Sequence, residues 1–312
     1  MKRIGTGRFV SARLKISEKI SSRAFAHYRN KRHLTWGALA QKFAVSEYTA
    51  RVGWAGARTT IPQKVWEEVS DQRACKLPLS PFWGQRKGGM KSAQHDKSRI
   101  PDVFSEDFAE FWGVLLGDGC VYRNQNSFCI TCSSVQDRQY ILHHLVPLCE
   151  RLFGLSPKIY FAKHENSIRL VLNSRKIARF LVNLGFPAGE KCNGQLGMPD
   201  HFWNKDTLLT ACLRGLFDTD GGVFHHPHTG VMLDFTVTHP HLYAQIQRAL
   251  TKLQLGFGKS RNRFQAYGRE KAQKFFSRIG SSNPRNIVRY MHFLQTGEAL
   301  SAKATGILLK RA

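Results

Sequence analysis

The segment FWGVLLGDG (111–119) returns 102 residues later as LRGLFDTDG (213–221), with apolar residues, Gly, Asp and Gly in the same places. At that constant offset Gly113, Asp118, Gly119, Val121 and Tyr122 become Gly215, Asp220, Gly221, Val223 and Phe224. Further on, ITCSS (130–134) matches FTVTH (235–239), and RFLVNLG (179–185) matches KFFSRIG (274–280). Chance can produce one such match but not several in one order. The chain must therefore fold as two related halves.

Periodicity supplies the content of each half. Ser105 can cap a helix whose apolar positions Phe108, Phe111, Trp112, Leu115 and Leu116 follow the i, i+3, i+4 rule, with Glu106 and Asp107 in the first turn. Strands are expected at 121–123 and 127–132 around a turn at Asn124–Asn126, then a helix at 135–153, strands at 157–163 and 167–172, and a helix at 174–184. The second half repeats the order: helix 206–219, strands 222–226 and 231–237, helix 239–253, strands 258–263 and 264–268, helix 270–280. The expected class is α+β, a tandem pseudo-symmetric αββαββα fold.

Placed about a two-fold axis, the first helices of the two halves can meet along it. Gly113 and Gly215 then have a physical role, because a missing side chain lets two backbones approach; as incidental glycines each would cost roughly 1 kcal/mol relative to Ala. Close packing brings Asp118 and Asp220 together at the negative ends of two helices, where like charges raise each other's pKa. A divalent cation resolves that conflict, and hard oxygen ligands suit Mg²⁺. Metal-assisted hydrolysis of a phosphodiester is the chemistry this pattern suggests.

Charge names the polyanion. Lys and Arg total 47 against 22 Asp and Glu, a net +25, and residues 1–100 carry 21 of the basic residues with only 6 of the acids. Such a field attracts nucleic acid. Seven Cys, an odd number without secretory spacing, fit reduced thiols rather than a disulfide framework. No apolar run reaches a membrane span and no signal-peptide core follows Met1. The expected compartment is cytoplasmic, at the nucleoid, or organellar, since the Arg- and Ser-rich start also has the composition of a transit peptide; secretion is not expected.

FWGVLLGDG and LRGLFDTDG, together with SEDFAEFWGVLLGDGCVY (105–122) and FFSRIGSSNPRN (275–286), resemble the LAGLIDADG (DOD-type) homing endonucleases of the two-motif class, over about residues 102–290. The resemblance implies a monomer with two saddle-shaped sheets in the DNA major groove, the motif helices as the interface, and Mg²⁺-dependent cutting of both strands. It assigns metal binding and catalysis to Asp118 and Asp220 and leaves Asp218 a structural helix-end residue. Family enzymes often place a basic residue near the scissile phosphate; Lys191 fits that place, or is a plain loop lysine, and Arg285 or Arg289 offer themselves in the second half. DNA contacts are expected from alternating strand residues: Arg123, Lys158, Tyr160 and Arg169 in the first half, and His225, Lys259, Arg261 and Arg263 in the second.

Two distractions carry less weight. Residues three apart in CITC (129–132) point to opposite faces of a strand, which disfavours zinc, and HHPHTG (225–230) sits where a hairpin turn is required. Two other functions share the expected fold, a group I intron maturase that binds intron RNA and a DNA-binding regulator without catalysis. An intein is not expected, since the chain opens with Met1 and closes on LLKRA.

The expected organisation is a basic arm and a possible helix-turn-helix in 1–76, a basic linker at 77–101, repeats at 102–200 and 201–295, and a tail at 296–312. Residues 1–33 lack a sustained apolar period and are expected as a mobile basic arm. In 34–69, Leu39, Ala40 and Phe43 share a helical face, a turn follows at Ala44 and Val45, and Ser46 can cap a second helix. Gly53 falls where an apolar packing residue is expected. The N-terminal extension should thus be basic and mostly helical.

Overall fold

Ser105 starts the first motif helix, Glu106–Asp118, its hydroxyl accepting from the amide of Phe108 at 3.2 Å. The second motif helix, Asp206–Asp220, begins after an extended Lys205 without a side-chain cap. Both are apolar nearly all round, as helices enclosed by other layers must be: Phe108–Leu116 are buried in the first, and Leu208, Leu209, Ala211–Leu213 and Gly215–Asp218 in the second.

This is a computed structural model that describes residues 3–4, 8–9, 12–70, 79, 83–94, 97–162, 165–191 and 195–311. The chain divides into two compact units, Met1–Asp96 and Lys97–Ala312. In the second unit each motif helix runs into a four-stranded antiparallel sheet. The first has the spatial order Gly119–Val121, Phe128–Ser133, Ser167–Leu172, Lys158–Phe161; the second has Gly221–Phe224, Met232–Thr236, Arg263–Tyr267, Gly258–Ser260. The orders are identical repeat for repeat. One core contains both, from Phe128, Ile130, Ile168 and Leu170 through the motif helices to Leu233, Phe235, Phe264 and Phe275.

Several elements differ from expectation. Each first strand starts at the motif's last glycine, so Tyr122 and Arg123 open the turn instead of continuing the strand. The helix expected over 135–153 consists of Arg138–Tyr140, a widened π-helical stretch Ile141–Leu145, and Val146–Phe153 with Pro147 in its first turn. Two helices were not foreseen, Pro284–Thr296 and Ala302–Arg311. The second lies in the expected tail, yet Thr305 is fully buried and accepts from Arg289 Nε at 3.0 Å.

In the first unit, helix Glu18–Lys31 stands within the segment expected as a mobile basic arm and buries Ser21, Phe25 and Tyr28. Its apolar positions are few, and they join a core with Trp54 and Trp66 from distant sequence, which local periodicity does not register. Trp83–Gln94 is helical within the segment expected as linker.

Candidate functional site at the paired motif helices

The motif helices touch at their glycines, and the contact is symmetric. A Cβ on Gly113 would lie on the Cys212 carbonyl oxygen and 2.8 Å from the amide of Leu216; one on Gly215 would lie on the Glu110 carbonyl oxygen and 2.9 Å from the amide of Val114. Cys212 and Leu216 are Glu110 and Val114 shifted by 102, so each helix meets the same surface of its copy. Four residues on, the symmetry breaks: a Cβ on Gly117 would overlap the Thr219 hydroxyl and lie 3.3 Å from Asp220 Cγ. The two helices therefore converge on their acidic ends.

Asp118 accepts a hydrogen bond from the Cys132 thiol at 3.3 Å. Burial raises its pKa, the thiol lowers it, and the Asp137 charge raises it again, with a net upward shift. Among the described residues no hydrogen bond or ion pair reaches the Asp220 carboxylate. Burial, then the Asp118 charge, push Asp220 up to about 7, against a smaller downward pull from Lys191. Two carboxylates in this state are short of positive charge.

Lys191 supplies part of it. Gly189 donates to the Val121 carbonyl at 2.8 Å and Ala188 bridges to the same strand, which returns the loop to the edge of the first sheet. Lys191 Nζ then donates to the last carbonyls of the first motif helix, Leu116 at 2.9 Å and Gly117. Burial lowers its pKa more than Asp220 and Asp118 raise it. An ammonium has three N–H donors, so one is left for a water or a phosphate oxygen.

The residues present fit a hard divalent cation. The donors are carboxylate oxygens with raised pKa, and among the described residues no group of three or more His, Cys, Asp or Glu surrounds a metal position. An ion held by two carboxylates with the rest of its shell from water and phosphate is the mode in which Mg²⁺ binds.

The second-half counterparts of Lys191 are engaged in structural contacts. Arg285 pairs with Asp137 at 3.1 Å and donates to the carbonyls of Asp218 and Gly221. Arg289 is buried, donates to the Val223 carbonyl and to Gln136, and burial lowers it to about 10. Both arginines instead tie helix Pro284–Thr296 to the second sheet.

Asp218 anchors the same region. It is buried, accepts from the Ser281 hydroxyl, the Ser282 amide (2.7 Å) and Asn286 Nδ2 (3.1 Å), and burial outweighs these bonds to raise it to about 6. Sequence reasoning did not find Glu110, the polar centre of the helix pair. Burial raises its pKa, but a 2.7 Å hydrogen bond with His144 and the Arg214 guanidinium at 2.8 Å outweigh it and hold the carboxyl below its ordinary value. Ser282 donates to it at 2.7 Å. An acid in mid-helix on the buried stripe was the available signal.

Sheet register sorts the expected DNA contacts. Tyr160 lies directly opposite Arg169 and Lys158 opposite Val171, all with Cys120, Cys129 and Thr131 on the face turned away from the core. Four of the expected residues lie elsewhere than on the outward face of a strand, and all four are exposed. Arg123 stands in the turn, its guanidinium 3.7 Å from Glu190. His225 follows its strand into the hairpin loop, and Arg261 occupies a tight turn with φ +44°. Lys259 pairs with Phe264 and so stands on the core face at the sheet edge; a one-residue difference in register reverses the face. Arg263 does lie on the open face, held 3.4 Å from the buried Asp234, which also accepts from Gln265 at 2.9 Å. Asp220, Phe224, Met232, Asp234, Thr236 and Arg263 line a recess there of about 150 Å³.

Residues 207–280 match the family model described as a LAGLIDADG-like domain. The replication factor C small subunit of Methanocaldococcus jannaschii is 24% identical over 198 residues, 62% of this chain but only 10% of that protein's length. The chain thus spans about a tenth of the length of the curated relatives it matches. Among solved structures, the I-DmoI complex with DNA and Mn is 15% identical with a TM-score of 0.39, covering 56% of this chain and 96% of that one. Full-length DUF199/WhiA from Thermatoga maritima is 14% identical with a TM-score of 0.44, covering 66% of each. Among the described residues no helix is long and apolar enough to cross a membrane.

Proposed function

We propose that this chain, whose residues 207–280 match a LAGLIDADG-like domain, is a site-specific double-stranded DNA homing endonuclease, cutting both strands with Mg²⁺ at Asp118 and Asp220. The observation that carries this reading is the convergence of two underneutralised carboxylates at touching helix ends, with Asp220 Cγ 3.3 Å from where a side chain on Gly117 would begin. A pure DNA-binding protein has no use for that electrostatic cost.

In this reading Asp118 and Asp220 hold the divalent ions, which when bound would neutralise the developing charge on the scissile phosphate. Lys191, fixed by two helix-end carbonyls, orients a water or a phosphate oxygen with its third N–H. The glycine contact fixes the carboxylates relative to each other. Lys158, Tyr160 and Arg169 on one sheet and Arg263 on the other meet the duplex, as a monomer that needs no second copy because both half-sites are in one chain.

The test is cleavage of a pooled duplex library with and without Mg²⁺, followed by sequencing of the ends. Recurrent Mg²⁺-dependent double-strand breaks are expected. Binding of duplex with no breaks, unaltered by Asp118→Asn or Asp220→Asn, would instead establish a regulator, and selective binding of structured intron RNA a maturase.

A further inference from the structure

The unit ending at Asp96 has a core of its own, built from Phe25, Tyr28, Leu39, Ala40, Ala50, Trp54 and Trp66. Within it Thr35 caps helix Trp36–Lys42 by accepting from the Ala38 amide at 3.1 Å. The chain reverses at Ala44, whose φ is +51°, and Val45 donates back to the Ala40 carbonyl at 3.0 Å. Ser46 caps the second helix by accepting from the Thr49 amide at 3.1 Å, and the helical stretch runs to Ala55 with a π-widened turn over Thr49–Ala55.

The widening explains Gly53. The extra residue per turn carries Trp54 into the packing position, where it meets Phe25 and Phe43 at ring separations of 6.3 and 6.1 Å. Gly53 lies against Thr59, whose amide donates to its carbonyl at 2.9 Å. Ser21 on helix Glu18–Lys31 donates to the Trp54 carbonyl at 2.7 Å, which ties that helix to the pair.

Several charges of this unit are already engaged. Lys42 pairs with Glu68 at 2.6 Å, Arg29 stacks on Trp36 at 4.2 Å and Arg32 on Tyr28 at 4.8 Å. The Glu47 carboxylate lies over Gly37 in the first turn of its neighbour helix. On the second helix Tyr48, 69% exposed, and Arg51, also exposed, point outward, and among the described residues nothing pairs with either.

From this geometry we infer that residues 35–55 form a helix-turn-helix that binds duplex DNA in the major groove through Tyr48 and Arg51. The contact is additional to the cutting site and stands whether or not the motif helices cut. An unpaired Arg and an exposed aromatic, three residues apart near the start of a capped helix, match the fork and the apolar body that read base edges. The surrounding charge complements phosphate: residues 12–70 hold 11 Lys and Arg against 4 Asp and Glu.

The experiment selects a pool of randomised duplexes with full-length wild type and with full-length Tyr48→Ala/Arg51→Ala, in EDTA so that nothing is cut. Wild type should enrich two sequence blocks, and the variant only one, with affinity for the two-block duplex lower by about tenfold or more. Arg51→Lys, which keeps the charge but loses the fork, should blur the second block while retaining most of the affinity. Equal thermal unfolding of wild type and variants shows that the outward substitutions leave the fold intact. Identical blocks and affinities for all three proteins would overturn the inference and leave the nuclease reading untouched. Tyr48- and Arg51-dependent binding of structured RNA in preference to duplex would also overturn it. Two blocks without Mg²⁺-dependent cutting would support it while removing the nuclease.

Discussion

The two repeats agree in packing and disagree in polar decoration. Gly113 and Gly215 meet equivalent backbone atoms, and both sheets have the same strand order. Yet the first acid accepts from a thiol while the second has no hydrogen-bond partner among the described residues, and Lys191 of the first half acts on both acids whereas the arginines of the second half are held by structural contacts. Leu116 in the first motif corresponds to the buried Asp218 in the second. The comparison teaches that the shared backbone is what the symmetry requires, whereas each half can assign its polar residues to structure or to chemistry.

The symmetric part gives the largest expected effect. Gly113→Ala and Gly215→Ala should each destabilise the Lys97–Ala312 unit by about 3 kcal/mol or more, since the new methyl meets backbone atoms that cannot turn aside. Urea unfolding would measure both, and very unequal losses would break the equivalence of the helices.

Asp218→Ala should cost about 2–3 kcal/mol by leaving Ser281, the Ser282 amide and Asn286 without their acceptor. Leu116→Ala, its first-half counterpart, should cost a similar amount through a cavity instead. The two differ in composition of the loss: only the Asp218 variant should loosen 281–286 in hydrogen exchange at the Ser282 amide.

Asp220→Asn should stabilise the metal-free protein at neutral pH. A folded-state pKa of about 7 lies above the ordinary 3.8, so between those values the folded state binds more protons than the unfolded one and stability falls as pH rises. Asparagine removes that fall. The gain should be absent below about pH 4, grow through the window, and reach a few kcal/mol at pH 7. Asp118→Asn should show the same sign. Thermal melts in EDTA across this range check both, and a pH-independent difference would contradict the burial of an uncompensated charge.

Lys191→Met sharpens the contrast between halves. Cutting should slow by about a hundredfold, more for one strand than the other, so that nicked duplex accumulates. Loss of its charge should also extend the Asp220→Asn stabilisation to higher pH, because Lys191 pulls that pKa down. Equal slowing of both strands would show that the lysine serves the two halves alike.

The fold of residues 102–280 was legible because repeats and periodicity are local signals: Ser105 as a cap, the glycines at the crossing and the alternating strands all follow from neighbours in sequence. The faces of Lys259 and Arg123 were not, since a strand's limits shift by one or two residues and each shift reverses a side chain. Helix Glu18–Lys31 was missed because its apolar face is completed by Trp54 and Trp66 from distant sequence. The pair Asp118 and Asp220 could be anticipated at the meeting helix ends, but the commitments of Arg285 and Arg289 depend on a helix after 283 that nothing in the repeat pattern announces. Asn283 as cap with Pro284 in the first turn was the signal that could have found it.

The most direct measurement is Mg²⁺-dependent end sequencing of the pooled duplex library with wild type, Asp118→Asn and Asp220→Asn. The paired-acid account predicts recurrent double-strand ends for wild type, and no double-strand ends for either variant while duplex binding persists. Double-strand ends at the same sites and rates from both variants would contradict it.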